Sequence, residues 1–152
     1  MIREATLKDL PDLLRLYDQL RGGLSVFKKA PTRPNPDMAK AFRRMLSSRD
    51  VRLLVWDSGG QVRGTCAAYI LPRVYYSGKP LGILDTIVVD DRERGQGIGR
   101  ALIREAVELC KKAGCHQVNL TSNTQRTRAH RFYESLGFEP TYVGFKKMLY
   151  QD

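Results

Sequence analysis

A glycine-rich segment between a predicted strand and a predicted helix constrains this chain more than any other feature. It reads Arg94-Gly95-Gln96-Gly97-Ile98-Gly99-Arg100. Glycines let the backbone turn sharply and approach a ligand closely. Successive N–H groups can then form an anion-binding nest, and the N-terminus of the following helix adds the positive end of its dipole. With two arginines beside it, the segment predicts a site for a phosphate or pyrophosphate.

Two familiar nucleotide-binding loops do not fit this segment. A P-loop ends in Gly-Lys followed by Ser or Thr, which is absent here. A dinucleotide fingerprint needs a glycine three positions after Gly97, where Arg100 stands, and an acidic residue on the next strand, which is missing. One alternative remains, in which the segment is a tight loop that begins the helix and binds no ligand.

The order of the predicted elements indicates an α/β fold, with a mixed, mostly antiparallel sheet and helices on both faces. Three central strands are joined by short glycine-containing turns, which makes them antiparallel neighbours. A strand, a helix and one or two final strands follow the long helix. We expect residues 1–152 to form a single domain. The predicted strands are Ile2–Ala5, Val51–Asp57, Val62 to about Val74, Leu81–Val89, Gln117–Leu120, Tyr142-Val143 and Phe145–Tyr150; the helices begin after Thr6, at Asn35-Pro36, at Ile98 and at about Arg128.

Composition argues against several classes of protein. No apolar run approaches the roughly 18 residues of a membrane span, and the polar start is unlike a signal peptide, so we expect a cytoplasmic protein. Cys66, Cys110 and Cys115 form no C-x-x-C pair, and only two histidines are present. We therefore expect reduced thiols and no metal site.

The formal net charge of +10 predicts a surface that attracts anions. The basic residues are scattered and no aromatic-rich nucleic-acid motif accompanies them. A generally basic surface is thus favoured over a nucleic-acid-binding protein, which stays as a third alternative.

Two blocks of this sequence resemble one known family. The segment from Arg94 to Gly99 is similar to the coenzyme A pyrophosphate loop of the GNAT acetyltransferases, Gln/Arg-x-x-Gly-x-Gly/Ala. The segment Ala129–Phe138 resembles the family's second block, a helix ending in Tyr-x-x-x-Gly-Phe. The blocks have the family's order and separation, and the element order of the whole chain also matches. The resemblance implies the GNAT fold, acetyl-coenzyme A (acetyl-CoA) as cosubstrate and an amine-bearing acceptor, more often a small molecule than a protein.

The resemblance also implies which residues contact the cofactor and carry the chemistry. Tyr133 takes the place of the tyrosine that commonly acts as general acid. The family's strand before the glycine loop carries a bulge whose backbone N–H groups bind the pantetheine arm and polarise the thioester carbonyl. The implied cofactor-binding residues are Ile87, Val88, Val89, Arg94, Gly95, Gln96, Gly97, Ile98, Gly99, Arg100 and Tyr133.

Two further positions have open interpretations. Asp85 is a charged side chain inside an apolar strand, which is costly unless it is paired or faces a cleft. It either binds the acceptor amine, draws a proton from it through water, or is held by an Arg or Lys as a structural acid. The family often places an asparagine where this chain has Arg126. Asn123 lies three residues earlier, so either residue is a candidate cofactor ligand.

The acceptor is not named by the sequence. In the family, the segment equivalent to about Gly22–Asn35 walls the acceptor site. Lys28, Lys29 and Arg33 hint at an acidic or phosphorylated amine, although solvated loop charges explain them as well. A non-catalytic coenzyme A-binding sensor or interaction module is the alternative function. Because the chain is short after Phe138, as in family members that exchange their last strand, we expect a homodimer.

Overall fold

The computed structural model of the chain describes residues 1–22 and 33–149. Its centre is a five-stranded sheet in which β1 to β5 lie side by side in chain order. The strands are β1 (Ile2–Glu4), β2 (Val51–Ser58), β3 (Gln61–Leu71), β4 (Leu81–Val89) and β5 (Gln117–Leu120); the helices are α1 (Leu10–Gly22), α2 (Pro36–Ser47), α3 (Ile98–Lys112) and α4 (Thr127–Glu134). The first four strands pair antiparallel, and the short turns predict this for the three central strands β2, β3 and β4.

Helices cover both faces of the sheet, as the sequence predicts. On one face, α1 and α2 place Leu13, Leu16 and Phe42 against inward-facing residues of β2 and β3 such as Val55 and Ala67. The other face is covered by α3. A side-chain carbon added at Gly64 of β3 would lie 3.1 Å from Ile98 and from Leu102, and one at Gly82 of β4 would lie 2.7 Å from the Cys110 sulfur. Glycine at these two positions therefore lets α3 pack directly onto the strands.

Local signals fix several element boundaries at the predicted residues. The Asn35 side chain accepts a hydrogen bond from the Met38 amide at 2.8 Å, and Pro36 occupies the first turn of α2. Leu81 and Val89 bound β4, and Gln117 and Leu120 bound β5, both as expected. β3 ends at Leu71 rather than near Val74 because Pro72 follows, and proline has no N–H to donate to the ladder.

The chain divides into two compact units, Met1–Asn119 and Leu120–Asp152. The first contains nearly all of the sheet together with α1, α2 and α3. The second contains α4 and the segment after it. A single domain over residues 1–152 stays a prediction.

The predicted strands at Tyr142-Val143 and from Phe145 onwards are wrong for the described chain. Residues 139–149 form no strand, and Tyr150 lies outside the described residues. A strand persists only where its backbone groups find a partner. Here the apolar residues that suggested burial are exposed instead, Phe145 by 96% and Val143 by 78%.

The cysteines are free thiols, with Cys66 and Cys110 buried and Cys115 half-buried. Burial raises the pKa of Cys66 to about 12 and that of Cys110 to about 11, which disfavours the reactive thiolate. Over residues 1–22 and 33–149, no helix has the length and apolarity needed to cross a membrane.

Candidate active site

The glycine loop forms an exposed turn at the N-terminus of α3. Gly95 and Gly97 both have a φ of +82°, in the left-handed region that favours glycine. Apart from its neighbours in the chain, no described residue lies within 4 Å of a side-chain carbon added at either position, so the space above both residues is open in this part of the structure. Gly97 caps α3, whose first turn contains no acidic residue. An anion at this end of the helix would meet the positive end of the helix dipole, with no acidic side chain in the first helical turn.

Two arginines flank this turn. Arg94 is half-exposed and forms an ion pair with Asp91, while its Nε donates to the Val89 carbonyl at 3.3 Å. Arg100 lies in the first turn of α3. Both arginines therefore adjoin the open turn in the chain, and the Arg94 charge is shared with Asp91.

A buried carboxylate holds the start of the loop in place. The Asp90 side chain is 2% exposed and follows directly after β4. It accepts hydrogen bonds from Arg15 of α1 at 2.5 Å, from Arg63 of β3 at 3.2 Å and from the Arg92 amide at 3.2 Å. The Gln19 side chain also accepts a hydrogen bond from the Asp91 amide at 3.1 Å. The turn is thus tied to α1 and β3 before any ligand arrives, which preorganises it.

Sequence reasoning missed this anchor, although two signals were available. Asp90 ends an apolar strand and caps the short helical turn that follows, which is a typical acidic cap position. Arg15 and Gln19 are four residues apart on α1 and therefore share one face of it. What the sequence alone does not show is that this face of α1 meets the end of β4.

The Asp90 anchor predicts a stability that depends on pH. Burial alone would raise the pKa of Asp90, but its hydrogen bonds to Arg92, Arg15 and Arg63 outweigh burial and hold the pKa at about 2. In the unfolded chain an Asp has a pKa of about 3.9. The stabilisation is therefore complete above about pH 4 and is lost as the pH falls through 2, and it amounts to roughly 2 kcal/mol.

We expect Asp90→Asn to lower the free energy of unfolding at pH 7 by about 3 kcal/mol, because it leaves two arginines around a neutral partner. Urea denaturation measures this change. It should also show a shallower loss of stability between pH 4 and pH 2 than the wild type. The matched control is Asp91→Asn, since the exposed Asp91–Arg94 pair should contribute less than about 1 kcal/mol. Equal losses in the two variants would contradict the anchor.

A β-bulge lies in β4, at the strand position that the family resemblance indicates. Thr65 of β3 pairs with Val88, but Ala67, two residues further, pairs with Asp85. Two residues, Thr86 and Ile87, therefore stand opposite Cys66 alone. The extra residue in a bulge is left out of the ladder, so its backbone amide is available to another acceptor. Ile87 and Val89 are half-buried and Val88 is buried. The role that the resemblance implies for these three residues concerns their backbone N–H groups and stays a prediction.

The same bulge places Asp85 on the face of the sheet that α1 covers. Ala67 and Thr65 are two residues apart on β3 and share a face, so their partners Asp85 and Val88 also share it. Asp85 is nonetheless exposed, which shows that this face is open at Asp85. Among residues 1–22 and 33–149, Asp85 forms no ion pair with Arg or Lys. The interpretation of Asp85 as a structural acid requires an Arg or Lys beside it, and the described residues place none there.

The second unit contains the remaining predicted site residues. The end of α4 is a Schellman motif, as predicted: the Phe138 amide donates to the Tyr133 carbonyl at 3.2 Å and the Gly137 amide to the Glu134 carbonyl at 2.9 Å. The Tyr133 ring contacts Phe138 edge-on at 6.3 Å and Phe132 at 5.5 Å between centroids. Tyr133 is half-buried, so packing fixes its ring while part of the side chain stays accessible.

Asn123 and Arg126 lie on either side of one turn before α4. The Asn123 side chain accepts a hydrogen bond from the Gln125 amide at 2.9 Å, and its carbonyl accepts one from the Arg126 amide at 2.9 Å. Asn123 thus shapes the turn itself, while Arg126 is the N-cap residue of α4.

The segment predicted to wall the acceptor site consists largely of residues 23–32. These residues, which include Lys28 and Lys29, lie outside the described part of the chain. In the described part of the chain, no group of three or more His, Cys, Asp or Glu side chains is arranged to hold a metal ion.

Comparison with known proteins identifies the family of the chain. The model of the acetyltransferase (GNAT) family matches residues 13–138. The chain belongs to the GNAT family. A glucosamine 6-phosphate N-acetyltransferase of Trypanosoma brucei brucei is 35% identical over 79 residues, which covers 52% of this chain and 52% of that protein. The alignments span about half the length of the first curated relatives that the chain matches.

Solved structures of the GNAT fold match the chain along nearly its whole length. An acetyltransferase from Agrobacterium tumefaciens, described as putative, has a TM-score of 0.87 at 28% identity and covers 97% of this chain and 99% of its own. A protein from Bacillus halodurans, described as a transcriptional regulator, has a TM-score of 0.89 at 30% identity and covers 98% and 99%. The predicted fold class is therefore confirmed.

Proposed function

We propose that this GNAT protein transfers the acetyl group of acetyl-CoA to a primary amine of a small molecule. The observation that carries the proposal is the continuity of β4, the glycine loop and α3 within one unit. A bulge, in which β4 has one residue more than β3, is followed after the Asp90 anchor by an open turn with an arginine on each side. The first feature suits a thioester carbonyl and the second suits a pyrophosphate, and acetyl-CoA contains both groups.

The residues present fit this cosubstrate. The amides of Ile98, Gly99 and Arg100 begin α3 and have no carboxylate near them in that turn, so they suit the pyrophosphate together with the backbone of Gly95, Gln96 and Gly97. The amides of Ile87, Val88 and Val89 suit the pantetheine arm and the thioester carbonyl. We propose the side chains of Arg94, Arg100 and Arg126, with Asn123, as further contacts to the cofactor.

In the proposed reaction, the neutral amine attacks the thioester carbon. A carbon–nitrogen bond forms, the carbon–sulfur bond breaks, and the amine loses a proton while the thiolate gains one. Asp85 faces the acceptor: it either holds the ammonium form or takes the proton through water. Tyr133 donates the proton to the leaving thiolate.

The net charge of +10 and the phosphate-bearing substrate named for the trypanosomal relative favour an anionic amine as acceptor. Amino sugar phosphates and aminophosphonates should be screened first, followed by amino acids, polyamines, aminoglycosides and peptides. Release of free thiol from acetyl-CoA measures turnover. Thiol release that depends on an amine, together with an N-acetylated product in the mass spectrum, would support the proposal.

A second candidate function is a coenzyme A-binding sensor or interaction module without turnover. The similarity to the Bacillus halodurans protein described as a transcriptional regulator favours it. Saturable binding of acetyl-CoA by calorimetry, without thiol release for any amine, would select this function over acetyl transfer. A salt-sensitive gel shift would instead point to nucleic acid.

The cytoplasmic location stays a prediction that cell fractionation tests.

We also propose that the protein is a homodimer built through residues 142–149. Five large apolar side chains in this segment are exposed: Tyr142, Val143, Phe145, Met148 and Leu149. Large apolar side chains that are exposed together in one segment are a typical feature of an interaction site. Pairing with a second copy would give the segment the strand partner that it lacks among the described residues.

Light scattering should therefore give a mass near twice the 17.3 kDa of one chain. Phe145→Asp should shift the protein to the monomer mass, because it places a charge within the proposed interface. Val74→Asp is the matched control, since Val74 is 95% exposed, like Phe145 at 96%, but lies in the β3–β4 connection. A wild-type mass of 17.3 kDa at working concentration would reject the dimer.

A further inference from the structure

The bulge in β4 contains a residue in a costly backbone conformation. Thr86 has a φ of +49°, and a β-branched residue there is a genuine outlier. Bulges that need this conformation normally use glycine, which adopts it without strain. Such strain persists only where the surroundings hold the residue in place. A threonine at this position therefore implies that its side chain makes a contact that offsets the backbone strain.

Tyr17 on α1 can make this contact with the Thr86 side chain. Its ring packs against the core cluster of the α1 face, and its hydroxyl lies beside the hydroxyls of Thr86 and Thr65. Thr65 is fully buried and its hydroxyl donates to the Leu54 carbonyl at 2.9 Å, so it is already fixed. The Thr86 hydroxyl is buried and has no partner of standard hydrogen-bond geometry among the described residues. The phenol of Tyr17 is thus available as its partner from the helix side.

The chemistry of the neighbourhood agrees with a phenol that stays neutral. Burial raises the pKa of Tyr17 to about 12, the hydroxyls of Thr86 and Thr65 offset part of this rise, and the charges of Tyr69 and Asp85 add to it. A neutral phenol keeps its proton and can donate it to the Thr86 oxygen. Among the described residues, Tyr69 on β3 and Asp85 on β4 are titratable groups whose charge acts on Tyr17.

We propose that Tyr17 is a positioning residue: its hydroxyl holds Thr86 in the left-handed conformation and thereby fixes the direction of the Ile87 and Val88 amides. This inference rests on the proposed acetyl transfer, in which those amides polarise the thioester carbonyl. Donors of this kind act through their alignment with the developing oxyanion, so a misdirected amide slows turnover more than it weakens substrate binding.

The test is Tyr17→Phe, which removes the hydroxyl and keeps the ring. We expect kcat to fall about tenfold, a fraction of the roughly 10²–10³-fold that loss of a whole oxyanion donor costs. KM for the acceptor should change less than about twofold. The matched control is Tyr69→Phe, which removes a hydroxyl from a half-buried tyrosine that packs against the same core cluster. An equal fall of kcat in both variants, or a fall in neither, would overturn the proposal.

A double-mutant cycle with Thr86→Val shows whether Tyr17 acts through Thr86. Valine keeps the β-branch and removes the hydroxyl, so Tyr17→Phe should have no further effect on kcat in that background. If the fold-changes in kcat of the two single variants multiply in the double variant, Tyr17 acts independently of Thr86 and the inference is rejected.

Amide hydrogen exchange gives a readout that needs no substrate. Tyr17→Phe should speed exchange at Ile87 and Val88 by at least about threefold, while Tyr69→Phe leaves it unchanged. If no amine is acetylated, the proposed function fails, but this exchange measurement still decides whether Tyr17 holds the bulge. Unchanged exchange in the Tyr17 variant would contradict that role even in an active enzyme.

Discussion

Gly97→Val is expected to weaken acetyl-CoA binding at least tenfold, which corresponds to about 1.4 kcal/mol or more. Gly97 has a φ of +82°, and a side-chain carbon added there would have no described residue within 4 Å other than its chain neighbours. A valine would fill the space that the pyrophosphate needs. It would also force the cap of α3 out of the left-handed region, which turns the first amides of the helix away from the anion. Isothermal titration calorimetry measures the affinity directly.

The control for this experiment is Gly60→Val in the β2–β3 turn. Gly60 has a φ of +86° and an equally open position, so valine imposes a similar strain there, roughly 1–2 kcal/mol. Both variants should melt at a lower temperature than the wild type. Only the Gly97 variant should lose cofactor affinity, and an unchanged dissociation constant for it would show that the loop is not the pyrophosphate site.

Much of the fold follows from local signals in the sequence. The Asn35-Pro36 start of α2 and the Gly137-Phe138 end of α4 each need only a few neighbouring residues, and the structure has both as predicted. The three central strands are equally local, because short turns leave antiparallel pairing as the outcome. A candidate site could be proposed from the sequence for the same reason: the glycine loop and the Tyr133 block are each one continuous stretch of the chain.

Features that depend on distant partners could not be read in this way. The anchor of Asp90 needs Arg15, which is 75 residues away, and Arg63. The φ of Thr86 depends on the register between β3 and β4, and no propensity predicts a left-handed threonine. The expected strands after Glu139 failed because β-propensity indicates that a segment suits a sheet without supplying the neighbouring strand.

These long-range contacts hold the glycine loop and the bulge of the candidate site in place. The glycine loop begins at a carboxylate fixed by two arginines from different elements, and the bulge is backed by α1. Ligand-binding loops work best when such supports set their geometry in advance, since no binding energy is then spent on ordering them. α1 thus supplies Arg15, Gln19 and Tyr17 to the support of both features, although none of the three belongs to a family block.

Tyr133→Phe is expected to lower turnover by about 10²–10⁴-fold, the usual contribution of general acid catalysis. The leaving thiolate is stabilised if a proton reaches it as the carbon–sulfur bond breaks. A phenol suits this task because its unperturbed pKa of about 10 lies close to the value of about 8.5 for a thiol. The structure supplies a well-held ring: Tyr133 packs against Phe132 and Phe138, and its carbonyl accepts the hydrogen bond that closes α4.

Phenylalanine keeps those ring contacts and removes only the hydroxyl, so the melting temperature and the affinity for acetyl-CoA should stay close to the wild-type values. The control is Tyr142→Phe, which removes a hydroxyl from a 75% exposed tyrosine in the same unit and should leave turnover unchanged. Turnover must be measured where chemistry limits the rate, which a single-turnover experiment with excess enzyme secures. Wild-type turnover in the Tyr133 variant under those conditions would mean that the proton comes from another group. The ring of Tyr133 would then serve only to close the helix, as its contacts with Phe132 and Phe138 already do.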